Sequence, residues 1–187
     1  DSIAAWKQEA RLKQIERAAL DPDLCRVVAI GLWPEGDAIE STVARSADEE
    51  RVMIEALWRR VAMGHLIGYN IIGFDLPVLV RRSMYLGIDK VPAFRLSKYR
   101  PSANVTDLMM SLTMEGTITA RSLKWYARRI GLQPPNNPIE GRDIPNLVEA
   151  GQWDLVRQHV EDDVRVTGEL ATFLNTPKYL NPRFKLA

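Results

Sequence analysis

The sequence has few of the features that place a protein outside a reducing compartment. It contains one cysteine, Cys25, among 187 residues, so an intrachain disulfide is excluded and a cytoplasmic location is expected. No apolar run approaches the roughly 18 residues that cross a bilayer, and no secretory signal pattern opens the chain. These absences exclude a disulfide-rich secreted domain and predict no membrane partner.

The chain also lacks a large excess of charge of either sign. Its 25 basic and 24 acidic residues give a net charge of +1. The distribution is uneven, because residues 81–129 contain ten Lys or Arg and three acids. A basic middle between acidic flanks fits phosphate contacts in the middle and metal ligands in the flanks. The alternative is a solvated surface whose charges are unevenly spread.

The apolar fraction of 46% suffices for one domain, predicted over 1–187 with its core over about 25–175. β-Branched and alternating residues predict a hairpin over 25–44 and a buried strand over 65–69. Caps and terminating glycines predict four helices, over 46–64, 77–86, 121–131 and 154–174. A hairpin followed by alternating strands and helices is typical of a mixed α/β sheet covered by helices.

The stretch "YNIIGFDLP" (69–77) places an amide, an aromatic ring and a carboxylate between the predicted strand and the next helix. Side chains at such junctions converge on a crevice in α/β folds. The carboxylate of Asp75 suits Mg²⁺ or Mn²⁺, which prefer oxygen ligands. Phe74 is suited to stacking on a nucleobase, an interaction worth roughly 1–3 kcal/mol. Alternatively, Asp75 caps the helix and Phe74 fills the core.

A second candidate lies in "RQHVEDDVRVTGEL" (157–170). His159 and Asp163 are four residues apart, so they face the same way on a helix. Asp163 is suited to bind a metal, and His159 to position or deprotonate a water. An exposed, charged helix surface is the alternative. The apolar residues that instead place this helix against the core are Val156, Val160, Val164 and Leu170.

These segments resemble a known family. Residues 70–77 resemble the second motif of the DEDD 3′–5′ exonuclease superfamily, and "HVEDDV" (159–164) resembles the third. "VTDLM" (105–109) and "RSLKWYARRIG" (121–131) are similar to connecting segments of the branch related to the proofreading domain of B-family polymerases. The resemblance covers about residues 25–175 and implies an RNase H-like mixed β-sheet flanked by helices.

The resemblance implies a metal-dependent 3′–5′ exonuclease that uses two ions, Mg²⁺ or Mn²⁺, to hydrolyse the terminal phosphodiester. By motif, Asp75 and Asp163 would be metal ligands and His159 the residue that orients water. The predicted substrate contacts are Asn70, Phe74 and Arg121. The expected partners are DNA, as single-stranded 3′ ends, and a polymerase or another replication or repair protein.

The third motif departs from the family pattern. One branch has Tyr four residues before the last Asp, and the other has His five residues before it. This chain has His159 at the Tyr spacing, four residues before Asp163. We interpret it as a Tyr-spaced site in which His takes over the function. The alternative is an impaired or structural position.

The first motif, Asp-x-Glu on the first strand, is missing. Residues 1–24 contain neither the motif nor a core strand; Asp21 and Asp23 flank a proline in a turn, and 48–50 open a helix. The first strand is therefore expected to precede the given sequence. A chain without it would be a catalytically inactive module that binds single-stranded ends or acts as a subunit. An RNase H-like endonuclease is disfavoured by Phe74 and its exonuclease-type motif.

Overall fold

The computed structural model describes residues 6–7, 18, 21–62, 64–93, 104–132 and 139–175. Most of the segment before residue 21, where the first motif was sought, lies outside this part of the chain. So do Arg95, Lys98 and Arg100, three of the ten cations of the basic middle.

The chain first forms the predicted hairpin. Strand β1 (Ala29–Leu32) pairs antiparallel with β2 (Glu40–Val43), and Ala29 lies opposite Val43. Gly36 in the connecting turn has a φ of +83°, a left-handed conformation that glycine adopts without steric cost. The hairpin is confirmed, with strands shorter than the apolar pattern indicated.

Helix α1 (Ala47–Val61) follows and starts as predicted at Ser46, whose Oγ accepts a hydrogen bond from the Glu49 N–H at 3.1 Å. This side-chain acceptor satisfies one of the N–H groups that have no partner within the helix. The Glu49 carboxylate accepts from the backbone N–H of Arg45 at 2.7 Å. The residues that α1 buries most completely are Glu50, Ile54 and Trp58.

A strand, a tight turn and a helix then follow without interruption. Strand β3 (Leu66–Gly68) leads into a π-helical turn, Ile71–Asp75, which continues directly into α2 (Leu76–Tyr85). Strand β4 (Val105–Asp107) pairs parallel with β3, so that Gly68 lies opposite Asp107. The strand over 65–69 is therefore confirmed. The expectation that it is buried is wrong, because Ile67 is 44% exposed and its neighbours Leu66 and Gly68 are half-buried.

Four more helices complete the described chain. They are α3 (Leu108–Leu112), α4 (Leu123–Arg129), α5 (Ile144–Glu149), which follows a 3₁₀ turn at Gly141–Asp143, and α6 (Trp153–Asn175). The predictions over 121–131 and 154–174 are confirmed by α4 and α6. The short helices α3 and α5 were not predicted, because they lack a repeated apolar period.

Helices cover both faces of the hairpin. Ile30 and Leu32 pack against the apolar cluster formed around α1, which includes Ile54 and Trp58. Gly31 faces the other way, toward α6, and a Cβ there would lie only 2.7 Å from Cγ2 of Val164. The glycine therefore lets α6 lie close to β1.

A second apolar cluster lies between α6 and the α3–α4 region, around Leu108, Leu170 and Leu174. The predicted mixed α/β architecture is confirmed. Within the described residues, its strands form two two-stranded sheets, β1–β2 and β3–β4. No helix in the described ranges has the length and apolarity that crossing a membrane requires.

Candidate active site

The turn after β3 is shaped by Asn70. Its φ of 60° is left-handed, a conformation that Asn tolerates better than most residues. The Asn70 carbonyl accepts hydrogen bonds from the N–H groups of Gly73 and Phe74 at 3.1 and 2.9 Å. The Asn70 side chain lies over Gly73, where a Cβ would collide with Oδ1. The Asn-x-x-Gly spacing in the sequence therefore has a steric cause.

Asp107, at the end of β4, holds this turn in place. Its buried carboxylate accepts hydrogen bonds from the N–H groups of Asn70 (2.9 Å) and Ile72 (3.0 Å). It also accepts from Met109 and Met110 at the start of α3. Sequence reasoning did not select Asp107. The sequence shows an Asp between a strand and a helix, but only the parallel pairing of β4 with β3 places it beside the turn.

The structure contradicts the alternative in which Asp75 caps a helix and Phe74 fills the core. Asp75 makes no side-chain capping hydrogen bond and is solvent-accessible. Phe74 is half-buried and is part of neither apolar cluster in the described chain. Both residues are therefore free to meet a ligand.

The Asp75 carboxyl is accessible to solvent, but surrounding protein still disfavours its charge. Although the residue is exposed, desolvation by the protein around its carboxyl raises the pKa of Asp75 to about 6; a backbone hydrogen bond lowers it, and the negative charges of Asp107 and Asp163 raise it further. Helix α6 contacts β3, and the Asp163 charge acts on Asp75, so α6 lies on the side of the fold where the turn after β3 begins.

On α6, His159 and Asp163 face each other as their spacing predicted. Nε2 of His159 lies 3.5 Å from Oδ2 of Asp163, and their side chains are 14% and 43% exposed. The alternative with His159 out in solvent is therefore wrong. Burial raises the pKa of Asp163, partly offset by the nearby His159 and Lys124, while Asp162 adds to the increase.

The neighbouring acids on α6 are engaged elsewhere. The Ser41 hydroxyl donates to Glu161, and Asp162 lies 3.7 Å from Arg165. Asp163 is thus the acid of this segment that faces the site.

Asp75 and Asp163 supply carboxylate oxygens, the ligand type that hard divalent ions take. Both carboxyls have raised pKa values, and a nearby cation would favour their ionised forms. Asp75 has no ion-pair partner in the described chain. Across that same part of the chain, no group of three or more His, Cys, Asp or Glu residues could hold a metal ion.

Helix α4 and Arg121, which lies just before it, are next to the site. The Tyr69 hydroxyl donates to the Arg121 carbonyl, while the exposed Arg121 guanidinium lies 5.8 Å from the centre of the Trp125 ring. Nζ of Lys124 donates to the Ile139 carbonyl at 3.0 Å and acts electrostatically on Asp163. Lys124 was missed in the sequence, where nothing distinguishes it from the neighbouring cations.

Two of the acids that were considered as substitutes for the first motif, Asp23 and Glu50, have structural partners. Asp23 lies 2.6 Å from both Nε of Arg81 and the Tyr85 hydroxyl. Glu50 accepts hydrogen bonds from Arg82 at 2.7 and 2.9 Å and from the Val27 N–H at 2.9 Å. Neither residue is available to complete a metal site, as the sequence indicated.

Comparisons with known proteins identify a family for the chain. No curated protein matches the chain. A family model described as a predicted 3′–5′ exonuclease related to the exonuclease domain of PolB matches residues 19–175, a range that contains the turn after β3, α4 and the His159–Asp163 pair. The chain therefore belongs to this family of exonuclease-related proteins.

Proposed function

We propose that the protein is a metal-dependent 3′–5′ exonuclease that removes nucleotides from DNA 3′ ends. The observation that supports this most directly is Asp75. Its carboxylate neither caps the helix that follows nor forms an ion pair within the described residues, and desolvation together with two other carboxylates raises its pKa. A carboxylate in such surroundings is typical of a functional site rather than of a contact that stabilises the fold. The aromatic side chain beside it, Phe74, belongs to neither apolar cluster of the described chain.

In this proposal, Asp75 and Asp163 hold the cation or share in holding two of them. When bound, Mg²⁺ or Mn²⁺ supplies the charge stabilisation and Lewis acidity that phosphodiester hydrolysis needs. His159 accepts a proton from the attacking water or orients it, with Asp163 fixing the direction of the ring. Because Asp163 is four residues away on α6, this orientation is built into the helix.

The other predicted residues contact the substrate. The Asn70 carboxamide makes no hydrogen bond within the described chain and is available to the terminal nucleotide. Phe74 packs against its base, and Arg121 contacts a phosphate. A terminal nucleotide seated between Phe74 and Asp75 would have its phosphodiester next to the carboxylates, as removal from a 3′ end requires.

Hydrolysis assisted by two ions needs more ligands than Asp75 and Asp163. We infer that an Asp-x-Glu segment supplies them. In the described chain β1 pairs only with β2, and β3 only with β4. Each of these four strands therefore has one unpaired edge, and such an edge can accept a further strand. A further strand along the free edge of β3 would lie beside the strand that leads to Asp75.

A second candidate function is a module that binds single-stranded 3′ ends without cleaving them. The specific observation in its favour is that the described residues form no group of three or more metal ligands. In that case Asn70, Phe74 and Arg121 keep their roles, and the carboxylates have none in hydrolysis.

The test is degradation of a 5′-labelled single-stranded DNA in Mg²⁺ or Mn²⁺, using the chain with an intact Asp-x-Glu segment supplied. We expect stepwise shortening from the 3′ end, abolished by Asp75→Asn. The matched control is Asp162→Asn, which removes a carboxylate one residue from Asp163 that pairs with Arg165. Undiminished cleavage by Asp75→Asn would contradict the assignment, and tight binding without cleavage would favour the second candidate.

His159 is tested in the same assay. Since proton transfer by a positioned side chain contributes about 10²–10⁴-fold, His159→Ala should lose activity on that scale and keep end binding. His159→Tyr should retain substantial activity with a changed pH–rate profile, if His takes the place of Tyr. Unchanged rates in both variants would remove His159 from the mechanism.

A further inference from the structure

Helix α4 has one buried face and one exposed face of a distinct composition. Its inward residues, Leu123, Ala127 and Ile130, follow helical spacing, and Ala127 is fully buried. On the opposite face, the exposed residues Trp125, Arg128 and Arg129 also follow helical spacing, and the exposed Arg121 directly precedes the N-cap of the helix, Ser122. We call these four residues the α4 stripe.

The cations of the α4 stripe are not neutralised. Residues 121–132 contain no acid, and Arg121, Arg128 and Arg129 form no ion pair within the described ranges. Helix α1 provides the contrast, because its exposed Arg51 and Arg59 lie 3.1 and 4.0 Å from Glu55. The surplus of positive charge on α4 is thus available to a polyanion.

Trp125 adds a rigid apolar surface to this charge. The side chain is 45% exposed, yet its ring meets the Tyr126 ring edge-on at a centroid distance of 5.0 Å. Tyr126 in turn lies 6.3 Å from the Tyr69 ring. An exposed aromatic ring that is held in place from behind loses little conformational entropy on binding, which favours stacking with a planar partner.

The α4 stripe is connected to the proposed active site at two points. Tyr69, which donates to the Arg121 carbonyl, directly precedes Asn70 of the turn. Lys124, next to Trp125, acts electrostatically on Asp163 of α6. A strand whose 3′ end lies at Asp75 would therefore pass α4 with its upstream nucleotides.

We infer that the α4 stripe binds the single strand on the 5′ side of the terminal nucleotide, with Trp125 stacking on a base and Arg128 and Arg129 contacting phosphates. This inference rests on the proposed function and extends it from the terminal nucleotide to a track of several nucleotides. Alternating aromatic and cationic side chains are the usual means of holding single strands without sequence preference.

The stacking contact is tested by fluorescence anisotropy with a 5′-labelled oligothymidylate of about ten nucleotides, within the site sizes of about 4–16 nucleotides found for single-strand binders. EDTA prevents cleavage during the measurement. Trp125→Ala should weaken binding by at least about fivefold, given the worth of one stacked base. Trp125→Phe should keep most of the affinity of the unaltered protein. The loss should shrink as the strand is shortened toward a dinucleotide.

The phosphate contacts are tested by the salt dependence of the same binding. Replacing Arg128 and Arg129 by Ser should lower the slope of log affinity against log salt by about 1.4, since each single-strand phosphate contact contributes about 0.7. Replacing Arg51 and Arg59 by Ser is the matched control, because it removes the same charge from another exposed helix face. The control should leave the slope unchanged.

The outcomes separate this inference from the proposed function. If the unaltered protein binds no oligonucleotide, the proposed function fails and the inference fails with it. If the protein binds but the variants at Trp125, Arg128 and Arg129 bind equally well, the α4 stripe is not the track and the proposed function stands. Equal salt slopes for the α4 and α1 variants would likewise overturn the inference. Thermal unfolding of each variant shows that it is folded.

Discussion

At the scale of single residues, the stretch from Asn70 to Asp75 combines positions that favour the fold with one that opposes it. Asn70 and Gly73 suit their places, since one tolerates a left-handed backbone and the other leaves room for the Asn70 side chain. Asp75 opposes the fold, because burial and two neighbouring negative charges raise its pKa to about 6. Residues that lower the stability of the folded state in this way are typical of functional sites, where the charged group is needed.

Because ionising Asp75 destabilises the folded state, replacing this residue by a neutral one should stabilise the protein. An acid whose pKa is higher in the folded than in the unfolded state contributes most to stability below its unfolded pKa, about 3.9, and that contribution is lost as the pH rises through about 6. In metal-free buffer, Asp75→Asn should therefore raise the unfolding midpoint near neutral pH. The gain should fade as the pH falls from about 6 toward about 4.

Thermal unfolding followed by circular dichroism at several pH values measures this effect. Asp154→Asn is a suitable control, because it replaces an exposed acid at the start of α6. A midpoint for Asp75→Asn that is unchanged or lowered at neutral pH would show that the carboxylate is not disfavoured by its surroundings.

At the scale of elements, the site depends on the connection between the turn after β3 and the start of α3. The Asp107 carboxylate makes this connection by accepting hydrogen bonds from two N–H groups of the turn and two of the helix. A carboxylate accepts only, so every one of these donors is satisfied. Its position at the end of β4 fixes the turn relative to the β3–β4 pair.

Replacing Asp107 by Asn should therefore disturb both stability and the site. The amide keeps one acceptor oxygen and turns an NH₂ group toward buried N–H donors, which should cost about 1–3 kcal/mol of unfolding free energy. Urea unfolding measures the loss. Asp143→Asn is the control, because its carboxylate accepts from the Glu140 N–H in an exposed turn. Equal losses in the two variants would show that the Asp107 connection adds nothing beyond an ordinary turn contact.

Elements with a long apolar period or a clear cap were predictable from sequence, whereas contacts between distant segments were not. Ser46, Gly87 and Gly131 mark helix ends through local backbone preferences, so α1, α2 and α4 could be predicted. The Asn70–Gly73 turn is also local. Asp107 acts on residues 35 and 37 positions away, and only the pairing of β3 with β4 shows that contact.

The division into two small sheets could not be predicted from the sequence pattern either. A strand pattern specifies which residues alternate but not which strands pair. The same limit applies to Lys124, whose relation to Asp163 depends on how α4 and α6 meet. Asp75, Asp163 and His159 stay predictions as site residues, and the spacing within each segment is what distinguished them in the sequence.

At the scale of the whole molecule, the two candidate metal ligands belong to separate parts of the fold. Asp75 follows β3, next to the apolar cluster around α1, whereas Asp163 lies on α6, whose far end packs in the second cluster. The repulsion between their charges opposes the approach of α6 to the turn. A cation held by both would turn this repulsion into a link between the two parts.

The sign of the metal effect on stability follows from this arrangement. A ligand that binds only the folded state stabilises it by about 2.7 kcal/mol at a concentration one hundred times its Kd. Mn²⁺ or Mg²⁺ should thus raise the unfolding midpoint of the protein, and Asp75→Asn and Asp163→Asn should each remove most of that increase. Asp162→Asn should retain this increase, because Asp162 faces Arg165.

In buffer with EDTA the order of stabilities should reverse, with Asp75→Asn more stable than the unaltered chain at neutral pH. Metal stabilisation that survives in Asp75→Asn would place the cation elsewhere, and stabilisation of all variants alike would indicate nonspecific binding to surface acids.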